Sequence, residues 1–258
     1  MKNWWKNFFK PITGEVMFKP RHGKQSQLEV NEVLKHINSP KHIKILDLCC
    51  GEGRHSVLFA KKGHEVVGLD YSNNFLKEAR RKVSKSKWAI KFIKGDMKKT
   101  SSYFQKDTFD LVVSLYNSFG YFDKRSDDLK TLKEVSKVIK SKGYFVINTL
   151  NGDAVQSRLE KPVSMGYEIS KNLFMIDKAH IDTKKMRTQS NWTIIDARKK
   201  KSTIFRGTFG QNVYTHKELV KMLKQSGFRV IKTWGILQGS PFDEKKSWHQ
   251  TILAQKVK

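Results

Sequence analysis

The chain has only two cysteines among its 258 residues, and they are neighbours, Cys49 and Cys50. Adjacent cysteines rarely bridge and no other thiol is available to pair with them, so a disulfide framework is excluded and a reducing, cytoplasmic compartment is expected. No apolar run approaches the roughly 20 residues that a membrane-spanning helix needs. Trp4, Trp5, Phe8 and Phe9 are mixed with lysines and lack the continuous apolar core of a signal peptide. No His or Cys cluster has metal-ligand spacing, so no metal is expected. Internal repeats are missing too. Acidic residues are scarce: 24 Asp and Glu face 51 Lys and Arg, for a formal net charge of +27. Of the 51, 41 are Lys and 10 are Arg. Proteins that read nucleic acid lean on Arg for its planar fork, and no basic run here exceeds the four residues Arg198 to Lys201. The charge therefore reads first as a lysine-rich solvated surface, with RNA or a membrane surface as the alternative partner.

What is present centres on Ile45 to Ser56, I-L-D-L-C-C-G-E-G-R-H-S. A short apolar run is what a buried strand needs. Gly51 and Gly53 allow a tight turn, and Val57, Leu58 and Ala60 give the following helix an apolar side. Strand, glycine loop and helix open an α/β nucleotide-binding sheet. Two ligands suit such a loop. Gly51, Gly53 and Ser56 nearly fit the dinucleotide pattern G-x-G-x-x-G, but a pyrophosphate wants bare amide dipoles, and Asp47 and Glu52 flank this loop. S-adenosylmethionine has no phosphate, and its sulfonium and ammonium groups suit nearby acids.

The remaining chain extends the pattern. Residues 1 to 24 read as a loop or short helix packed across the domain. Residues 25 to 38 read as a helix, ended by Ser39-Pro40. A second strand, Glu65 to Leu69, ends at Asp70, where a carboxylate faces a ribose in this architecture. Ser72 caps the next helix. A third strand, Ala89 to Ile93, is followed by Asp96 and Met97. A fourth, Phe109 to Leu115, runs into Tyr116-Asn117-Ser118-Phe119-Gly120-Tyr121-Phe122. This polar and aromatic loop should line the reaction site, because ligands bind beyond the carboxyl ends of such strands. A helix over Asp127 to Ser141, stopped by Lys142-Gly143, leads to a fifth strand, Tyr144 to Leu150. Residues 151 to 213 break the alternation, with β-like runs at Tyr167 to Ile169, Leu173 to His180, Thr188 to Ile195 and Ser202 to Phe209 that suggest an antiparallel meander. Thr215 and Glu218 form a capping box for the next helix. Phe228 to Gly235 and Trp248 to Val257 are the last strands.

Taken together, L-D-L-C-C-G-E-G-R-H-S, V-V-G-L-D-Y-S, K-G-D-M, F-D-L-V-V-S-L-Y-N-S-F-G-Y-F and K-G-Y-F-V-I-N-T-L resemble the class I S-adenosylmethionine-dependent methyltransferases over roughly residues 20 to 258. The nearest likeness is to small-molecule N-methyltransferases with an antiparallel sheet inserted after the fifth strand. The resemblance implies a Rossmann-like seven-stranded α/β sheet in the order 3-2-1-4-5-7-6, the last strand antiparallel. Residues 1–150 and 214–258 would bind the cofactor, and 151–213 would be an inserted subdomain covering the substrate pocket. By motif, Asp47, Gly51 and Gly53 would line the methionine moiety, Asp70 the ribose with Tyr71 beside the adenosine, and Asp96 and Met97 the adenine. Leu115 and Asn117 would sit near the sulfur and the acceptor. Arg54 and His55 either contact the cofactor or merely begin a helix. Plainer readings stand beside these: Asp47 as a cap of loop amides, Asp70 as an N-cap companion of Ser72, Asp96 as a turn acid, and the loop aromatics as packing.

Methyl transfer from a sulfonium is a direct displacement, so the protein mainly positions the nucleophile. A base is needed only where the nucleophile arrives protonated. Tyr121, Asn117 and His22 are the candidates, none carried by a motif; His216 and His249 have weaker claims. The expected activity is methylation of an N or O atom of a small molecule, with the N-terminal segment as a lid. The alternative is an RNA or protein methyltransferase using the basic stretches Lys184 to Arg187 and Arg198 to Lys201. Neither a D/N-P-P-Y motif nor a Pro-Cys nucleophile is present to favour base methylation. A non-enzymatic module that keeps only the cofactor fold is disfavoured by the acids at three strand ends.

Overall fold

The computed structural model describes residues 4–19, 23–37 and 41–257. Two short helices, α1 (Trp5–Phe8) and α2 (Pro11–Phe18), precede α3 (Lys24–Lys35). Strands and helices then alternate: β1 (Lys44–Leu48), α4 (Arg54–Lys61), β2 (Glu65–Asp70), α5 (Asn73–Val83), β3 (Ile90–Lys94), β4 (Phe109–Ser114), α6 (Arg125–Val138) and β5 (Ile139–Leu150). After α7 (Gly152–Leu159) come β6 (Val163–Ser170), β7 (Leu173–Asp182), β8 (Arg187–Asp196) and β9 (Thr203–Asn212), and then α8 (His216–Gln225), β10 (Phe228–Trp234) and β11 (His249–Lys256).

The seven-stranded sheet runs β3-β2-β1-β4-β5-β11-β10. β1 to β5 pair in parallel, and β11 is antiparallel to both β5 and β10. This is the expected 3-2-1-4-5-7-6 order once the four inserted strands are set aside. Alternation along β1 shows how the sequence builds two layers. Ile45 faces Val30 and Val33 of α3 and Phe59 of α4. Leu46 and Leu48 face Leu132, Val135 and Val138 of α6 and Leu219 and Leu223 of α8. All of these are buried, each contributing about 1.5–3 kcal/mol by leaving water. The capping box of α8 is present: Glu218 N–H donates to Thr215 Oγ1 at 3.2 Å, and Thr215 N–H donates to Glu218 Oε2 at 2.9 Å.

Three expectations need correction. The N-terminal segment holds two helices rather than a loop or one short helix, with Pro11 starting α2, where its missing N–H is harmless. Helix α6 stops at Val138, not Ser141. Ile139 already pairs with Phe109, and Thr108 N–H donates to Val138 O at 2.8 Å, so sheet pairing captures residues whose spacing looked helical. Lys142-Gly143 therefore lies inside β5, where Lys142 takes φ +62°. The inserted strands also outrun their apolar cores: β7 and β8 pair continuously from Leu173↔Asp196 to Asp182↔Arg187.

The inserted sheet, ordered β6-β7-β8-β9, is tied to the loop after β4. Asn212 Nδ2 and Tyr214 OH both donate to Asp128 Oδ2 at 2.7 Å. Asn212 Nδ2 also donates to Phe122 O at 2.9 Å, as does Arg187 Nη1 at 2.8 Å. Burial pushes the Asp128 carboxyl up to about 6 against these donors.

Candidate functional site

Beyond the carboxyl ends of β1, β2 and β4 lies a cavity with about 870 Å³ of empty space, the open solvent at its mouth included. Its first wall is the glycine loop. Gly51 takes φ +56°, and a Cβ there would lie 2.8 Å from Phe18 Cζ, so this backbone both turns and admits α2 closely. Gly51 N–H donates to Asp70 Oδ2 at 2.8 Å, and Ser72 N–H donates to Asp70 Oδ1 at 2.7 Å. The carboxylate that ends β2 thus braces the loop as well as facing the cavity. Burial raises its pKa against those two backbone donors.

Asp47 lies beneath the loop, accepts a hydrogen bond from Ser56 Oγ, and lines the cavity. Burial pushes its carboxyl up to about 7, while the Ser56 hydroxyl and the Arg54 charge pull the other way. Asp96 lines the far end and accepts Lys98 N–H at 2.9 Å, capping the 3₁₀ turn Met97–Ser102. The Met97 sulfur accepts from the Cys49 thiol at 3.4 Å. That thiol stays protonated, because burial and the surrounding acids raise its pKa. Leu115 and Tyr71, which is 39% exposed, complete this half.

The other half is aromatic. Trp5 and Phe9 from α1 and its end, Met17 and Phe18 from α2, Phe75 from α5, and Tyr116, Tyr121 and Phe122 after β4 line it. Trp4 packs edge-on against Tyr121, ring centroids 5.1 Å apart, and holds that wall from behind.

Arg54 and His55 line the cavity from the start of α4, anchored by a residue that sequence reasoning missed. Glu29 of α3 is fully buried. Arg54 Nη1 donates to it at 2.6 Å, His55 Nε2 at 2.7 Å and Gln238 Nε2 at 2.8 Å. Burial pushes His55 down to about 4, so it is a neutral donor. The Arg54 guanidinium also lies 5.0 Å from the Tyr116 ring centroid. An acid on an amphipathic helix reads as solvated surface; only the long-range fold shows that it is not.

Nine of the expected residues gather here: Asp47, Gly51, Arg54, Asp70, Tyr71, Asp96, Met97, Leu115 and Tyr121. Two do not line the cavity. Gly53 takes φ +72° as the N-cap of α4, where a Cβ would meet Phe92 Cζ at 2.6 Å, so its role is close packing. Asn117 turns away in a left-handed conformation, and its Nδ2 meets His249 Nε2 at 3.2 Å. His22 lies outside the described residues. Tyr121 has its phenol pKa raised by burial, so it is a hydrogen-bonding group and not a base near neutrality. No residue of 151–213 lines the cavity; the inserted sheet packs against α1, where Phe8 meets Trp192 and Phe209. Among the described residues no cluster of His, Cys, Asp or Glu could hold a metal. Nor, among the described residues, is any helix long and apolar enough to cross a membrane.

A family model described as a methyltransferase domain matches residues 39–227. The Bacillus subtilis protein YqeM is 37% identical over 109 residues, 42% of this chain and 43% of that protein. The demethylmenaquinone methyltransferase of Staphylococcus saprophyticus is 35% identical over 117 residues, 44% of this chain and 47% of that enzyme. The chain thus spans about half the length of the curated relatives it matches. Among solved structures, an S-adenosylmethionine-dependent methyltransferase from Clostridium acetobutylicum superposes with a TM-score of 0.80 at 16% identity, covering 90% of this chain and 92% of that one.

Proposed function

Because this chain belongs to the class I S-adenosylmethionine-dependent methyltransferases, we propose that it methylates an N or O atom of a small molecule held in the aromatic half of the cavity. The observation that carries this is the division of one cavity into an acidic half around Gly51 and an aromatic half around Tyr121. The residues present suit the cofactor. Asp47, Asp70 and Asp96 supply acceptors for cationic and hydroxyl groups, and the Gly51 backbone lines the same cavity. In this reading Asp47 and Gly51 hold the methionine end, Asp70 and Tyr71 the ribose and adenosine, and Asp96 and Met97 the adenine. When bound, the cofactor supplies a methyl group on a sulfonium. The chain's part is positioning and exclusion of water: α1, α2 and the loop after β4 close an apolar wall around the acceptor. Residues 151–213 form the unit that supports this wall, and 1–150 with 214–258 the cofactor-binding unit.

The basic stretches give the nucleic-acid alternative little support. Arg198 is engaged by Glu15 and Asp196, and Arg187 by Asp123, Asn212 and Phe122 O. The test is calorimetry with S-adenosylmethionine, S-adenosylhomocysteine and NAD. Micromolar binding of the first two with far weaker NAD binding is expected, and tighter NAD binding overturns the reading. Titration with bulk RNA checks the acceptor class. Binding at submicromolar affinity that falls roughly 10³-fold or more between 50 and 200 mM salt would transfer the reading to RNA.

A further inference from the structure

Beyond the carboxyl end of β3 lies a second cleft, which adjoins the cavity and shares Trp5, Tyr71, Gly95 and Asp96 with it. Its remaining wall is different in kind: the Tyr103 ring and three ammonium groups, Lys94, Lys98 and Lys99. Among the described residues, Asp96 is the one carboxylate in the lining.

Local structure fixes the floor of this cleft. Lys94 ends β3, where it pairs with Asp70 of β2. Gly95 N–H donates to Asp70 O at 3.0 Å, which holds the chain as it leaves the sheet. A Cβ on Gly95 would lie 2.8 Å from Tyr103 Cε2, so the Tyr103 ring rests on bare backbone. Tyr103 OH accepts Asp96 N–H at 3.1 Å. The 3₁₀ turn Met97–Ser102 then carries Lys98 and Lys99 into the same wall.

The fold does not neutralise these charges. Lys98 Nζ is held 3.2 Å from Asp127 Oδ2 and 4.4 Å from the Phe122 ring centroid. The Lys94 and Lys99 ammonium groups have no acidic partner among the described residues. The Asp96 carboxylate already accepts Lys98 N–H at 2.9 Å. A solvated lysine face spreads its charges outward, whereas these converge on one concavity, whose walls focus their field. Tyr71 and Tyr103 are 39% and 37% exposed and set ring faces beside the ammonium groups.

We propose that this cleft binds an anionic group, a phosphate monoester or a carboxylate, carried on an aromatic ring. Lys94 and Lys99 supply the charge and N–H donors, and Tyr71 and Tyr103 supply the apolar contact. The site is distinct from the acceptor half, because Tyr121 does not line it. It meets the end of the cavity assigned to adenine through Asp96, so its occupant sits beside a bound cofactor and not in its place.

The test is calorimetric titration of the whole chain with phenyl phosphate, benzoate and neutral phenol at pH 7 and about 150 mM salt, where charges more than about 8 Å apart are largely screened. Wild type should bind at least one of the anions tenfold or more tightly than phenol, and saturating S-adenosylhomocysteine should leave that binding in place. The order of the two anions names the ligand, a phosphate ester or a carboxylate. Lys94→Ala combined with Lys99→Ala should cut the preference at least fivefold and leave phenol binding and the thermal midpoint unchanged, because both side chains are exposed. Lys224→Ala combined with Lys232→Ala removes the same charge from α8 and from β10 at the opposite edge of the sheet, and should change nothing. Equal binding of phenol and both anions by wild type, equal losses in the two double variants, or displacement of the anion by S-adenosylhomocysteine overturns the proposal. The affinity for S-adenosylhomocysteine, measured separately, reports on the methyltransferase reading and not on this cleft.

Discussion

Asp70 Oδ2 accepts the backbone N–H of Gly51 at 2.8 Å, so the acid that ends β2 and the turn that follows β1 form one unit. The other oxygen accepts Ser72 N–H, which joins the start of α5 to the same carboxylate. An acid on an isolated strand end is a recognition group only; this one also shapes the loop that must receive the ligand.

Replacing Asp70 by Ala should therefore act twice. Loss of a charged acceptor for ribose hydroxyls should cost on the order of 2–4 kcal/mol of S-adenosylhomocysteine binding. Loss of the Gly51 and Ser72 hydrogen bonds should also lower the thermal midpoint of the free protein, an effect that a simple cleft-facing carboxylate would not produce. Calorimetry and thermal unfolding read the two parts separately. Normal cofactor affinity in Asp70→Ala would refute the ribose assignment.

Asp47 gives a pH signature. Its folded pKa, about 7, lies above the ordinary 3.8 because the group is buried. The folded state thus holds a proton that the unfolded state has lost between these values. Stability of the cofactor-free protein from this group should fall as pH rises from about 4 to 7, by at most about 1.4 kcal/mol per pH unit. Affinity for the cationic S-adenosylmethionine should rise over the upper part of that window as the carboxylate ionises. Urea midpoints and calorimetry at pH 5, 6, 7 and 8 measure both. Asp47→Asn should flatten both profiles, and unchanged slopes in that variant would contradict the assignment.

Glu29 holds the Arg54 and His55 side of the cavity from beneath. Removing it as Glu29→Ala leaves a buried guanidinium and a buried imidazole without their acceptor, which should destabilise the fold by about 3–5 kcal/mol in denaturant unfolding. Burial acts to raise its pKa, yet the His55 and Arg54 contacts hold it below the usual value. Its contribution is therefore complete above the unfolded pKa of about 4.3 and is lost as pH falls through the lower folded value. A loss under 1 kcal/mol would show that the network is not structural.

Gly207 admits Phe8 to the inserted sheet. A Cβ there would lie 2.8 Å from the Phe205 ring and 3.0 Å from Phe8 Cδ2. Gly207→Ala should loosen α1, raising hydrogen exchange at Phe8 and neighbouring amides by tenfold or more, while amides of β1 and β4 keep their protection. Exchange at α1 equal to wild type would show that the helix docks independently of this contact.

The chain sequence by itself determined the alternation of strands and helices, the glycine turn and the acids at the ends of β1 and β2, because each is written in a local signal: an apolar run of strand length, a glycine where φ is positive, a cap at a helix start; the strand order was implied only by the family resemblance. Asp47, Asp70 and Asp96 were legible for that reason. What tertiary structure decided is where side chains meet across long separations. Nothing near Glu29 announces that Arg54 and His55 will reach it from α4. Asn117 was expected at the acceptor, but its positive φ and the nearby His249 turn it aside. The aromatics of residues 4 to 18 read as a segment packed across the domain, and only their docking on β9 and α5 makes them a cavity wall. The end of α6 shows the same physics: Ile139 fits a helix by spacing, and the β4 edge claims it because a full strand pairing outweighs one more helical residue.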